Sequence, residues 1–223
     1  MPWVIFDLDG TLIESEQIWG DVRHEFAVTN GGHWRENAQS DMIGMRTQEW
    51  ANYIHDQLGV ALCPQQIAES VVAMMIDRLS RNVPVLPGAD EALNRLSQTF
   101  PLGLATSATS AVAQAVLEKT GWRSLFQVVV SADEVARGKP APDVYLRALD
   151  LLNADPRKTA AIEDSANGIR SAHAAALTVI AVPNPAFPPD QQTLALATHI
   201  LPNLEPLNTS LIISLLNDQG LSH

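Results

Sequence analysis

The chain has 223 residues, 46% of them hydrophobic, enough for one α/β domain of ordinary size with an inserted subdomain. Its formal net charge is -11 and no run of Lys or Arg offsets that field, so neither nucleic acid nor an anionic membrane surface is an expected partner. The single cysteine, Cys63, allows no intramolecular disulfide, no apolar run reaches membrane-spanning length, and no basic-then-apolar leader precedes Asp7; a soluble, cytoplasmic protein is expected.

Short β-rich runs recur at residues 3–6, 102–105, 128–130, 159–162 and 178–182, each nearly continuous in apolar character, as in strands covered on both faces. Helical spacing fills the intervals at 89–99, at 110–120 before Gly121, at 143–152 behind Pro142, and at 166–176. This alternation predicts an α/β fold, a doubly wound parallel sheet. Between 14 and 83 the pattern changes to helical periodicity without a buried strand. There Pro64 opens a helix carrying Ile67, Val71, Met74, Met75 and Leu79 at helical spacing, and Thr47 is the expected N-cap of the segment through Leu58. The turn-rich stretch 83–88 marks the return. A core of 1–13 plus 84–223 is therefore expected, with a helical cap at 14–83 and hinges near Glu14 and Pro84. Beyond a short strand near 198–201, the C-terminal stretch has no assignable periodicity.

Two carboxylates, Asp7 and Asp9, stand at the end of the first strand in Phe6-Asp7-Leu8-Asp9-Gly10-Thr11. Carboxyl ends of parallel strands are where α/β sheets bind ligands, and Gly10 lets the chain turn at once so that a substrate can approach the backbone. One acid can attack phosphorus while the other gives and takes the proton; Asp7 is the expected nucleophile and Asp9 the acid/base. Taken alone, the motif also reads as a capped turn. Thr106 and Ser107 follow the second strand and could hold phosphoryl oxygens, or simply cap the next helix. Lys139, stiffened by Pro140 and Pro142, could neutralise phosphate and Asp7, or be an ordinary solvated lysine. Glu163 and Asp164 end the fourth strand and, with Asp7 and Asp9, supply an oxygen-rich cluster suited to Mg2+; the alternative is a helix cap.

These four pieces, in this order and with a helical insert after the first, resemble the haloacid dehalogenase superfamily of phosphohydrolases, over about residues 4–182. The stretch Gly138-Lys139-Pro140-Ala141-Pro142-Asp143 is similar to that of the β-phosphoglucomutase-like phosphatases. The resemblance implies Asp7 as nucleophile, Asp9 as acid/base that also lends its backbone carbonyl to the metal, Thr106 and Lys139 as phosphate ligands, Asp164 as a metal ligand and Glu163 as an acid that helps at the metal. Dehalogenases of the superfamily lack the second acid, so Asp9 argues against dehalogenation. Phosphonate cleavage in the family uses a cap lysine, and residues 14–83 contain none.

A cap closing over the site would read what the phosphate is attached to. Trp19, Arg46 and Trp50 are the candidates there, an aromatic face for a ring and an arginine for an anionic or hydroxylated group, although each could equally be structural. The mutase branch carries a histidine where Trp19 stands, which favours plain hydrolysis, whereas Arg46 keeps a phosphosugar mutase as an alternative. The six histidines, His24, His33, His55, His173, His199 and His223, show no transition-metal spacing. The expected activity is hydrolysis of a small phosphorylated metabolite, a sugar or polyol phosphate, by a monomer. A non-catalytic module that binds a phosphometabolite is a further alternative.

Overall fold

Strand β1 (Trp3–Phe6) places Val4 and Phe6 on one face and Ile5 on the other, all fully buried, which is why its sequence is apolar without alternation. The computed structural model of the chain describes residues 1–43, 45–185 and 187–219. Five further strands follow: β2 (Leu102–Ala105), β3 (Phe126–Val130), β4 (Thr159–Glu163), β5 (Thr178–Ala181) and β6 (His199–Ile200). They pair in the order β3-β2-β1-β4-β5-β6, every pairing parallel. The chain builds outward from β1 to β3, returns to β4 on the other side of β1, and builds outward again. The crevice at the carboxyl ends of β1, β2 and β4 is thus the topological switch point, where ligands bind in such sheets.

Between β1 and the helix α5 (Ala89–Ser97) lie four helices and no strand of the sheet: α1 (Glu16–Thr29), α2 (Ala38–Met42), α3 (Thr47–Asp56) and α4 (Pro64–Arg81). Their buried stripes, Trp19, Val22 and Phe26 on α1, Trp50 and Ile54 on α3, and Ile67, Val71, Met75 and Leu79 on α4, join one apolar cluster with Val4 and Phe6 of the sheet. Each such side chain contributes about 1.5–3 kcal/mol by leaving water. The exit from β1 and the return run side by side, because Glu14 N–H donates to the Pro84 carbonyl at 2.8 Å and Leu86 N–H to the Leu12 carbonyl at 2.9 Å. Helices α6 (Ser110–Thr120), α7 (Asp143–Leu152), α8 (Ala166–Ala174), α9 (Gln191–Leu194) and α10 (Thr209–Gln219) complete the described chain. Val144, Tyr145 and Ala148 of α7 and Ile169 and Ala172 of α8 cover the Ile5 face.

Element ends shift by one or two residues in several places, and three departures from the sequence expectations have a clear physical reason. The N-cap of α3 is Arg46, not Thr47, because Glu49 is correctly spaced to accept the Arg46 N–H, at 2.8 Å. Strand β3 starts two residues earlier than the apolar run, at Phe126; as an edge strand it leaves Gln127 exposed, so the run looked interrupted. The unassigned C-terminal stretch forms α10, which buries Ile212 and Leu216 one turn apart; Leu211, Ile213 and Leu215 around them hid that stripe. No helix among the described residues is long and apolar enough to cross a membrane.

Candidate active site

Asp7 is the first residue past β1, and its N–H donates to the Ile162 carbonyl of β4 at 3.0 Å, so its buried side chain is carried at the centre of the sheet. Lys139 reaches it from the loop before α7: Nζ lies 2.5 Å from Asp7 Oδ1, 2.6 Å from Glu163 Oε1 and 2.9 Å from the Ala105 carbonyl. This lysine is 7% exposed, which removes the solvated-surface reading. Burial alone would lower its pKa, but the Asp7 and Glu163 carboxylates hold the ammonium above its ordinary value. Burial likewise pushes the Asp7 carboxyl up to about 8, against the pull of Lys139 and with further push from Glu163 and Asp9.

Glu163 is fully buried at the end of β4; its Oε1 also accepts from the Tyr145 hydroxyl at 2.6 Å, while its Oε2 has no hydrogen-bond partner among the described residues. Asp164 accepts from the Thr11 hydroxyl at 3.2 Å, and burial followed by the Asp7 and Glu163 charges raises its pKa well above the usual range. Two glycines make room for these acids. A Cβ on Gly10, whose φ is +83°, would stand 2.2 Å from Asp164 Oδ2, and one on Gly168 of α8 would stand 1.8 Å from Glu163 Oε2. Asp7, Glu163 and Asp164 each offer a carboxylate oxygen, and those oxygens lie within 4.8 Å of one another. An all-oxygen, anionic set with one buried oxygen unpartnered fits a hard divalent cation.

Asp9 has different company. It is partly exposed, accepts from the Ser15 hydroxyl, and lies 3.4 Å from the Thr106 hydroxyl. Burial raises its pKa, with the hydrogen-bonding groups of Ser15, Trp19 and Thr106 pulling back. Thr106 follows β2 and its N–H donates to the Val130 carbonyl at 2.9 Å. The helix caps nearby are made by other residues: Thr109 caps α6 and Ser165 caps α8. Thr106, the exposed Ser107, Glu163 and Asp164 are therefore not used as caps. Asp7, Asp9, Lys139, Asp164 and Ser107 line one cavity of about 370 Å3, which Phe187 also lines.

The cap candidates fall into two places. Trp19 and Trp50 are 7% and 2% exposed, with ring centres 6.1 Å apart, and both line a small cleft next to Asp9. Arg46 lies elsewhere: its Nη1 donates to the Ala136 carbonyl at 3.3 Å and its stem packs on Gly138, beside Lys139. Sequence reasoning did not single out Ser15, Arg23, Tyr145 or Gly168. Tyr145 had a signal, two residues beyond Asp143 in the stiffened loop-helix motif, and Arg23 stands one helical turn after Trp19. Among the described residues the acidic group contains no histidine; His223 lies outside them.

A doubly wound sheet whose switch point gathers four carboxylates and a buried lysine defines an α/β-class protein with a polar, charged site at the carboxyl ends of its strands. Residues 4–182 match the family model of haloacid dehalogenase-like hydrolases, and the chain belongs to that family. It is 32% identical over 184 residues to hexitol phosphatase B of Escherichia coli (strain K12), covering 81% of this chain and 83% of that protein. It is 29% identical to the bifunctional riboflavin kinase/FMN phosphatase of Arabidopsis thaliana, covering 98% of this chain but only 55% of that longer protein. The structure of CbbY from Rhodobacter sphaeroides in complex with phosphate superposes with a TM-score of 0.86 at 25% identity, covering 96% of this chain and all of that one.

Proposed function

We propose that the protein is a Mg2+-dependent phosphatase that hydrolyses the phosphate monoester of a small hydroxylated metabolite through a phosphoaspartate on Asp7. The observation that carries this reading is the split between the two acids: Asp7 is paired with Lys139, whereas Asp9 is partnered among the described residues by the Ser15 and Thr106 hydroxyls and makes no ion pair. An oxygen of Asp7 attacks phosphorus, and the P–O bond to the alcohol breaks as Asp9 gives the leaving oxygen its proton. Asp9, now anionic, takes a proton from water, whose oxygen attacks the phosphoaspartate and releases phosphate and the Asp7 carboxylate. Lys139 neutralises charge on Asp7 and the phosphoryl oxygens, and Thr106 and Ser107 bind those oxygens. Asp7, Asp164, Glu163 and the Asp9 backbone carbonyl would hold Mg2+, which when bound offsets the repulsion between an anionic nucleophile and an anionic substrate. The helices α1–α4 act as the cap, and we take the enzyme to be a cytoplasmic monomer.

Arg46, a cap cation beside the Gly138–Lys139 turn, supports one second reading, a phosphosugar mutase that grips a second phosphate. The test is phosphate release from sugar phosphates, polyol phosphates and p-nitrophenyl phosphate, with Mg2+, with EDTA and in Asp7→Asn. Release that requires Mg2+ and falls at least about a thousandfold in the mutant is expected. Turnover of a sugar monophosphate only with a bisphosphate activator, and without phosphate release, would overturn hydrolysis in favour of the mutase.

A further inference from the structure

Arg23, on α1, is a buried cation that makes no ion pair among the described residues, although Glu16 and Asp9 line the same cleft. It is 5% exposed, and neither Nε nor Nη1 has a hydrogen-bond partner among the described residues. Its guanidinium carbon stands 5.0 Å from the centre of the Trp19 ring and 5.3 Å from that of Trp50. The indoles engage the guanidinium through their rings and leave the donors on Nε and Nη1 unsatisfied. Unmet buried donors on a charged group are costly, and burial lowers the Arg23 pKa to about 10 even with Glu16 and Asp9 nearby.

Arg23 lines a cleft of about 60 Å3 together with Asp9, Glu16, Thr47 and Ser107. Asp9, Glu16 and Ser107 also line the main cavity, whereas Asp7 and Lys139 line only the main one. The cleft therefore lies beyond the acid, on the side away from the nucleophile. In the reaction proposed above, on which this inference rests, the leaving alcohol departs past Asp9, so its far end enters this cleft.

We propose that Arg23 is a specificity-determining residue whose cleft takes a carboxylate on the leaving alcohol, making phosphate monoesters of small hydroxy acids the preferred substrates. A carboxylate is planar, accepts from two guanidinium donors at once and balances a single cation. A hydroxyl could satisfy one donor but not the charge. The flanking Glu16 and Asp9 disfavour a dianion such as a second phosphate.

The matched probes are 3-phosphoglycerate and glycerol 3-phosphate, which differ by a carboxylate against a hydroxymethyl group. Calorimetric binding to the full-length Asp7→Asn protein with Mg2+ removes turnover from the comparison. Affinity for 3-phosphoglycerate at least about tenfold higher is expected, falling to within about twofold once Arg23→Met is added. Should that variant fail to fold, Arg23→Lys keeps the charge between the indoles but loses the planar fork, and is expected to lose most of the preference. Equal affinities before the change, a preference that survives both Arg23 variants, or no binding of either probe overturns the inference. Wild-type hydrolysis of p-nitrophenyl phosphate, which carries no carboxylate, decides the phosphatase reading separately.

Discussion

Two buried cations, Lys139 at the carboxyl ends of the central strands and Arg23 on α1, are treated in opposite ways. Lys139 is 7% exposed and meets three oxygens, two of them from carboxylates; Arg23 is 5% exposed and meets two indole faces, with no partner for Nε or Nη1 among the described residues. Lys139 finds its counter-ions in the protein itself and is held in place before substrate arrives, as stabilisation by preorganised groups requires. Arg23 makes no ion pair among the described residues, which leaves its Nε and Nη1 donors for the ligand carboxylate proposed above.

The comparison breaks most readily at Lys139. Lys139→Met strands the Asp7 and Glu163 carboxylates in a dry site and is expected to cost about 3–5 kcal/mol in urea unfolding without Mg2+. Gly168→Ala drives a methyl into Glu163 Oε2 and is expected to cost about 1–3 kcal/mol, despite the better helix propensity of alanine, with loss of phosphatase activity. The raised pKa of Asp7 gives a third test. Below about 8 the metal-free site keeps a proton that a cation must displace, so the apparent Mg2+ affinity is expected to rise by up to about tenfold per pH unit toward pH 8 and level off above it. The folded chain holds that proton where the unfolded chain has released it, so metal-free stability contributed by Asp7 is present in acid and is lost as pH rises toward 8, which urea melts at stepped pH would follow. The smallest effect is expected at Arg23: Arg23→Met removes an unpaired buried charge along with its ring contacts, and unfolding free energy should move by no more than about 1 kcal/mol. A loss as large as that of Lys139→Met would make Arg23 a structural cation and dissolve the contrast.

The alternation of apolar runs and helical spacing was sufficient for the doubly wound sheet, because a strand buried on both faces must be apolar throughout and its crossover must be amphipathic. For the same reason Asp7, Asp9, Thr106, Glu163 and Asp164 were legible: polar residues immediately after such runs stand at the carboxyl ends of strands wherever the strands pack. The sequence could not say which of them cap helices, since a hydroxyl before a helix looks alike in either role; only the placement of Thr109 and Ser165 as caps decided it. Nor could it show the partners of Lys139 and Arg23. Lys139 gains its carboxylates from residues 132 and 24 positions away, and Arg23 is bracketed by an indole on its own helix and one from α3. Local patterning determines which face of an element is apolar, but whether a buried charge is matched depends on elements distant in the chain, and that was decided by the tertiary structure alone.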